Sequence, residues 1–225
     1  MLTLPLYRLV VFDFDGTLAD SFPWFAKVIN DVADRYAFAR IAEHETETLR
    51  RMDARGIVRH LGIPGWKLPL ITRHMHRLAA RDIDAISLFP EISEILIDLE
   101  RAGLRLGIAS SNRETIIRQV LGPADARRFT HYACGASLFG KAKRLRSLIR
   151  EAGVVPADTL YVGDEIRDWS AAGEVGCAFG AVSWGYTRVE ALAALAPTHI
   201  FSNPASIRDC VAITPALAVR GLEDR

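Results

Sequence analysis

The apolar run Leu9-Val10-Val11-Phe12 ends in Asp13, and Asp15 and Gly16 follow almost at once. An uninterrupted run of this kind suits a strand buried on both faces, as strands of a parallel sheet are. Open α/β sheets hold ligands where the chain leaves the carboxyl ends of such strands. Here the chain leaves carrying two carboxylates. At a separation of about 4 Å and an effective dielectric of about 20, their repulsion amounts to about 4 kcal/mol. A hard divalent cation, which prefers oxygen ligands, would offset it. The segment thus suits a parallel-sheet core with a cation at one edge of it. Taken alone, the Asp-x-Asp pair is equally readable as an Asp-Gly turn with a solvated acid; Gly16, Thr17 and the strand before it favour the cation.

The remaining composition sets outer bounds. With 225 residues, half of them apolar, the chain can bury one substantial core and a small second domain. A net charge of +1 gives no electrostatic reason to expect a nucleic acid or an anionic membrane as partner. Cys134, Cys177 and Cys210 are far apart and form no C-x-x-C pair, which argues against a disulfide framework or a zinc knuckle. Free thiols fit a reducing cytoplasm. Arg8 and Asp13 break the first apolar stretch too early for a signal peptide or a spanning helix. Residues 213–225, with Pro215 and Gly221, read as a loosely held tail.

Between Leu18 and Leu88 the pattern is helical. Phe22, Phe25, Ile29, Val32 and Tyr36 recur at spacings of three and four, with Ser21 as the expected cap and Pro23 in the first turn. Helical character continues in pieces to Arg81, broken near Gly62, Pro64, Gly65 and Pro69, and no strand-like run intervenes. His74 and His76 stand two apart and cannot share one helix face as metal ligands, so they read as surface of this block. Trp24 and Trp66 could line a pocket, although packing is the preferred reading.

From Leu88 onward, helices and short apolar runs alternate. A stripe of Ile92, Ile95, Leu96 and Leu99 stops at Gly103, after which Leu104–Ala109 reads as a strand. A helix with Ile116, Ile117, Val120 and Leu121 follows, then a short strand near Tyr132–Cys134. A helix with Leu145, Leu148, Ile149 and Ala152 ends at Gly153. Thr159–Gly163, Cys177–Ser183 and Thr198–Phe201 complete the strands. Such alternation predicts an α/β fold, a Rossmann-like doubly wound parallel sheet. The core is expected to be discontinuous, 1–17 plus 88–225, with a small α-helical cap domain inserted at 18–87.

Three polar clusters fall at the same strand edge as Asp13: Ser110-Ser111-Asn112, Gly163-Asp164-Glu165 with Asp168, and Lys141 after Gly140. Taken singly they read as helix caps, helix-start acids and a surface lysine. Their order is more specific. The run D-F-D-G-T-L-A-D-S at 13–21 resembles the first signature of the haloacid dehalogenase-like hydrolase superfamily, Ser110 its second, Lys141 its third and G-D-E-x-x-D at 163–168 its fourth. The helical insertion, L-F-P-E-I-S-E-I-L at 88–96 and V-S-W-G-Y at 182–186 are similar to the phosphoglycolate phosphatase-like branch. The likeness extends to about residue 210.

That resemblance implies a magnesium-dependent phosphatase hydrolysing a small phosphate monoester through an aspartyl-phosphate. Uncatalysed hydrolysis of such esters is slow enough that acceleration can reach about 10²¹-fold, which no single group supplies. Asp13 would be the nucleophile. Asp15 would protonate the leaving oxygen and later take a proton from water. Ser110 and Lys141 would hold phosphoryl oxygens, in a substrate-binding set that also includes Gly16, Thr17, Ser111 and Asn112. Mg2+ would be held by Asp13, the backbone carbonyl of Asp15 and Asp164, with Asp168 orienting a ligand water or Lys141. Lys143 competes with Lys141, which is preferred for its position after Phe139-Gly140, although Ala142 follows it where relatives commonly have proline. Glu165 is either a helper of the ligand shell or a helix-start acid. A phosphomutase of the β-phosphoglucomutase type keeps both aspartates and stays open, as does a non-catalytic family member. The partner implied is a small phosphorylated metabolite, with no nucleic acid and no membrane, acting on a monomer or homodimer.

Overall fold

The computed structural model describes residues 6–135 and 140–212. The tail expected at 213–225 lies outside the described residues. The chain-order elements are β1 (Leu9–Phe12), β2 (Ala19–Asp20), α1 (Phe22–Tyr36), α2 (Thr46–Leu49), α3 (Ala54–His60), α4 (Leu68–Arg81), β3 (Ser87–Leu88) and α5 (Ile92–Arg101). They continue with β4 (Arg105–Ala109), α6 (Glu114–Ala126), β5 (Phe129–Ala133), α7 (Lys141–Glu151), β6 (Thr159–Gly163), α8 (Ile166–Val175), β7 (Ala178–Val182), α9 (Val189–Ala193), β8 (His199–Phe201) and α10 (Ala205–Ala212).

Six strands form one parallel sheet in the order β5-β4-β1-β6-β7-β8. Counted along the chain this is 3-2-1-4-5-6, the Rossmann order, which reverses at β1. β1 pairs with β4 on one side and β6 on the other, so its carboxyl end opens at the switch point. Every residue of β1 is buried. Leu9 and Val11 face a core with α7 and α8, whereas Val10 and Phe12 face a core with α5 and α6. Burying side chains of this size stabilises the fold by about 1.5–3 kcal/mol each. Their two-sided burial is why β1 shows no polar alternation.

The helical block α1–α4 enters through β2 and leaves through β3, which pair antiparallel, Ala19 with Leu88 and Asp20 with Ser87. This two-stranded ribbon corrects the reading that no strand lies between Leu18 and Leu88. Two residues are too few to show a period of two. Ser21 precedes α1 but makes no capping hydrogen bond; its hydroxyl meets the Tyr186 hydroxyl at 3.1 Å instead. Trp24 is buried and donates to Asp82 Oδ2 at 3.2 Å. Trp66 departs from the packing expectation, being 70% exposed beneath the Lys67 ammonium. His76 is half-buried on α4 rather than lying at the open surface, and burial lowers its pKa.

Candidate active site

Asp13 leaves β1 still in the sheet ladder, its N–H donating to the Val162 carbonyl at 2.9 Å. That bond carries it one residue past the strand end, beside the end of β6. Its Oδ1 accepts from the Phe14 amide at 2.8 Å, and its Oδ2 meets Lys141 Nζ at 2.5 Å. Lys141 is the first residue of α7 and is buried. It also binds Asp168 Oδ1, so it sits between two carboxylates. Lys143, two residues further along α7, is exposed. The geometry therefore joins Lys141, not Lys143, to Asp13.

Asp168 lies three residues into α8 and is fully buried. The Tyr161 hydroxyl donates to its Oδ1 at 3.0 Å and the Glu165 amide to its Oδ2 at 3.0 Å. With Lys141 added, the carboxylate accepts three hydrogen bonds, which fix it against the lysine. Asp164 follows β6 and is held by the Thr17 hydroxyl at 2.8 Å on Oδ1 and the Tyr186 amide at 2.8 Å on Oδ2. Thr17 is thus buried against Asp164. Gly16, at φ +77°, leaves the room that this carboxylate and the Tyr186 ring occupy; a Cβ there would lie 2.3 Å from Asp164 Oδ2. Gly16→Ala combines that clash with left-handed strain. It is expected to cost about 1–3 kcal/mol in stability from the strain alone, checked by chemical denaturation.

The opposite flank comes from β4. Ser110 is buried with its hydroxyl accepting from the Asn112 amide at 3.1 Å, and Ser111 is half-buried. Asn112 reaches across 97 residues of chain to donate to Asp15 Oδ2 at 3.0 Å. Ser21 also lies against Asp15.

Carboxylates of Asp13, Asp164 and Asp168 lie within 4.8 Å of one another. This is an all-oxygen donor set, which suits a hard divalent cation such as Mg2+. Asp168 already accepts three hydrogen bonds, whereas Asp13 and Asp164 each accept two and keep more lone pairs for a cation. Burial drives the Asp13 pKa up to about 7, Lys141 counteracting it in part. Burial likewise raises Asp15 and Asp164, against the hydrogen bonds that each accepts. Burial alone would lower Lys141, yet the adjacent Asp13 and Asp168 carboxylates leave it above the ordinary lysine value. A site with this much uncompensated acid is built to receive positive charge.

The sequence reading missed several groups. Tyr161, Tyr186 and Ser21 occupy ordinary core or turn positions in sequence. Arg167 lies within the quoted G-D-E-x-x-D run and pairs with Glu165, Nε to Oε2 at 2.5 Å. Its Nη1 is buried without a hydrogen-bond partner among the described residues. A cavity of about 260 Å³ opens beside Lys141, lined in part by Arg167, Ser170, Asp53 and Arg55.

Residues 10–182 match the haloacid dehalogenase-like hydrolase family, and the chain belongs to it. It lies in the phosphoglycolate phosphatase-like branch and is a phosphoric monoester hydrolase acting on small phosphate esters. A phosphoglycolate phosphatase of Synechococcus elongatus is 33% identical over 203 residues, covering 90% of this chain and 96% of that protein. Phosphoglycolate phosphatase 1 of Pseudomonas aeruginosa is 25% identical, covering 91% and 80%. Among solved structures, a Lactobacillus plantarum protein superposes with a TM-score of 0.78 at 24% identity, covering 91% and 99%. CbbY from Rhodobacter sphaeroides, solved with phosphate, superposes with a TM-score of 0.70 at 22% identity, covering 89% and 96%. Among the described residues no helix is long and apolar enough to cross a membrane.

Proposed function

We propose that the chain is a Mg2+-dependent phosphatase of the cytoplasm that hydrolyses a small phosphoglycolate-like ester through an aspartyl-phosphate on Asp13. The observation that carries the reading is the convergence of Asp13, Asp164, Asp168 and Lys141 at the switch point, with Asp15 held separately by Asn112. Residues 18–87 would act as a cap over a core made of 1–17 and 88–225.

Asp13 and Asp164, with the Asp15 carbonyl, would hold the cation. When bound it would neutralise phosphoryl charge and align the ester with Asp13. The Asp13 carboxylate attacks phosphorus, the P–O bond to the leaving group breaks, and Asp15 delivers its proton to that oxygen. Water then attacks the phosphoryl group, Asp15 takes the proton back, and phosphate leaves with Asp13 restored. Ser110 and Lys141 would bind the phosphoryl oxygens during both displacements. Burial raises the Asp15 pKa, the direction a proton donor requires.

One comparison favours a small, doubly anionic ester. The Synechococcus relative carries the name of an enzyme for such a substrate. The test compares kcat/KM with Mg2+ across phosphoglycolate, hexose phosphates, nucleotides and p-nitrophenyl phosphate. Phosphoglycolate is expected to lead; isomerisation of a sugar phosphate without net phosphate release would select the phosphomutase reading. Removing Mg2+ with a chelator is expected to abolish turnover, and re-addition to restore it.

A further inference from the structure

The Asp164 carboxylate is wedged between two glycines. A Cβ on Gly185 would lie 2.1 Å from the Asp164 Cβ, as close as the contact already described at Gly16. One of its two donors, the Tyr186 N–H, belongs to the same peptide plane as the Gly185 carbonyl. A trans peptide is rigid, so its C=O and N–H point in opposite directions and move as one unit. Arg50 grips the far end of this unit. Its Nη2 donates to the Gly185 carbonyl at 2.7 Å and its Nε to the Tyr186 carbonyl at 2.9 Å. Arg50 belongs to the helical block, directly after α2. Its side chain is 18% exposed and lies 4.7 Å from the centre of the Phe22 ring. Its own carbonyl accepts from the Arg188 amide at 2.8 Å, so both strands of this junction are tied.

We infer that Arg50 is a positioning residue for the divalent cation: through the Gly185–Tyr186 peptide it fixes the Asp164 carboxylate, so docking of the helical block sets metal affinity. The inference rests on Asp164 being a metal ligand. Groups that orient metal ligands typically change affinity by 10–100-fold when removed. Reciprocity makes the effect two-way: metal binding tightens docking of the block by the same factor that docking tightens metal binding. The specific chemistry is the planar fork. A lysine supplies charge but cannot reproduce the fixed two-carbonyl geometry of a guanidinium.

The test measures Mn2+ binding by electron paramagnetic resonance and Mg2+ binding by calorimetry, in the full chain without substrate. Arg50→Met is expected to raise the metal Kd about tenfold, with kcat at saturating Mg2+ within about threefold of the parent. Arg50→Lys is expected to fall between the two, and it serves if Arg50→Met does not fold. Glu47→Ala is the control: it removes the exposed pairs with Arg50 and Arg188 and leaves the carbonyl grip intact. Its Kd should stay within about twofold. Parental metal affinity in a folded Arg50→Met or Arg50→Lys overturns the inference, and so does an equal weakening by Glu47→Ala. Failure of the parent protein to bind either cation overturns the metal reading of Asp164 instead.

Discussion

Asp13→Asn is expected to abolish phosphatase activity, by four orders of magnitude or more. At about 1.36 kcal/mol per decade this is a loss of at least about 5.5 kcal/mol of transition-state stabilisation. Asparagine keeps the volume and can still accept from the Phe14 amide, so the fold should survive; what disappears is the carboxylate that forms the bond to phosphorus. Activity persisting in Asp13→Asn would exclude Asp13 as the nucleophile. The same variant carries a second, independent signal. Burial raises the Asp13 pKa to about 7 in the metal-free fold, against about 3.9 in an unfolded chain. The folded state therefore binds more protons than the unfolded state between those values, and the stability this contributes is lost as pH rises through about 7. Chelated parent protein should lose denaturation free energy between pH 5 and pH 8 relative to chelated Asp13→Asn. A difference independent of pH would show that the carboxyl is not strained by burial.

Asp15→Asn is expected to separate substrates by leaving group. An alkoxide needs a proton as the P–O bond breaks, whereas p-nitrophenolate leaves unassisted. General acid catalysis contributes about 10²–10⁴-fold, so the loss on phosphoglycolate or another alkyl ester should reach that range. The loss in the first displacement on p-nitrophenyl phosphate, read as the burst of nitrophenol, should be much smaller. Asn112 would still find an oxygen acceptor at position 15, which limits collateral disturbance. An equal loss for both substrates in the burst phase would contradict the acid role.

Much of this was legible in the chain itself. The four-residue run of β1 declared a strand buried on both faces, and the polar clusters after β4 and β6 declared a shared edge, because parallel strands all end on one side. Gly103 and Gly153 marked helix ends by their tolerance of positive φ, observed at +80° and +64°. The two-residue ribbon of β2 and β3 was not legible, since so short a pair carries no period. The exposure of Trp66 and the partial burial of His76 were also misjudged, because neither residue's helix shows which neighbour will pack on it.

Local pattern determined the parallel sheet, the helical insertion and the identity of the acids that gather at the sheet edge. Apolar runs and spacings report burial along a single element, and that is enough to order strands and helices. The sequence already preferred Lys141 to Lys143, but only the tertiary structure paired it with Asp13, bound Asn112 to Asp15, and aimed the Gly185–Tyr186 peptide from Arg50 to Asp164. Those choices depend on the orientation of peptide planes and side chains brought together from as far as 135 residues apart, as Arg50 and Gly185 are. No period within one segment encodes such an orientation; it is set where separate elements pack.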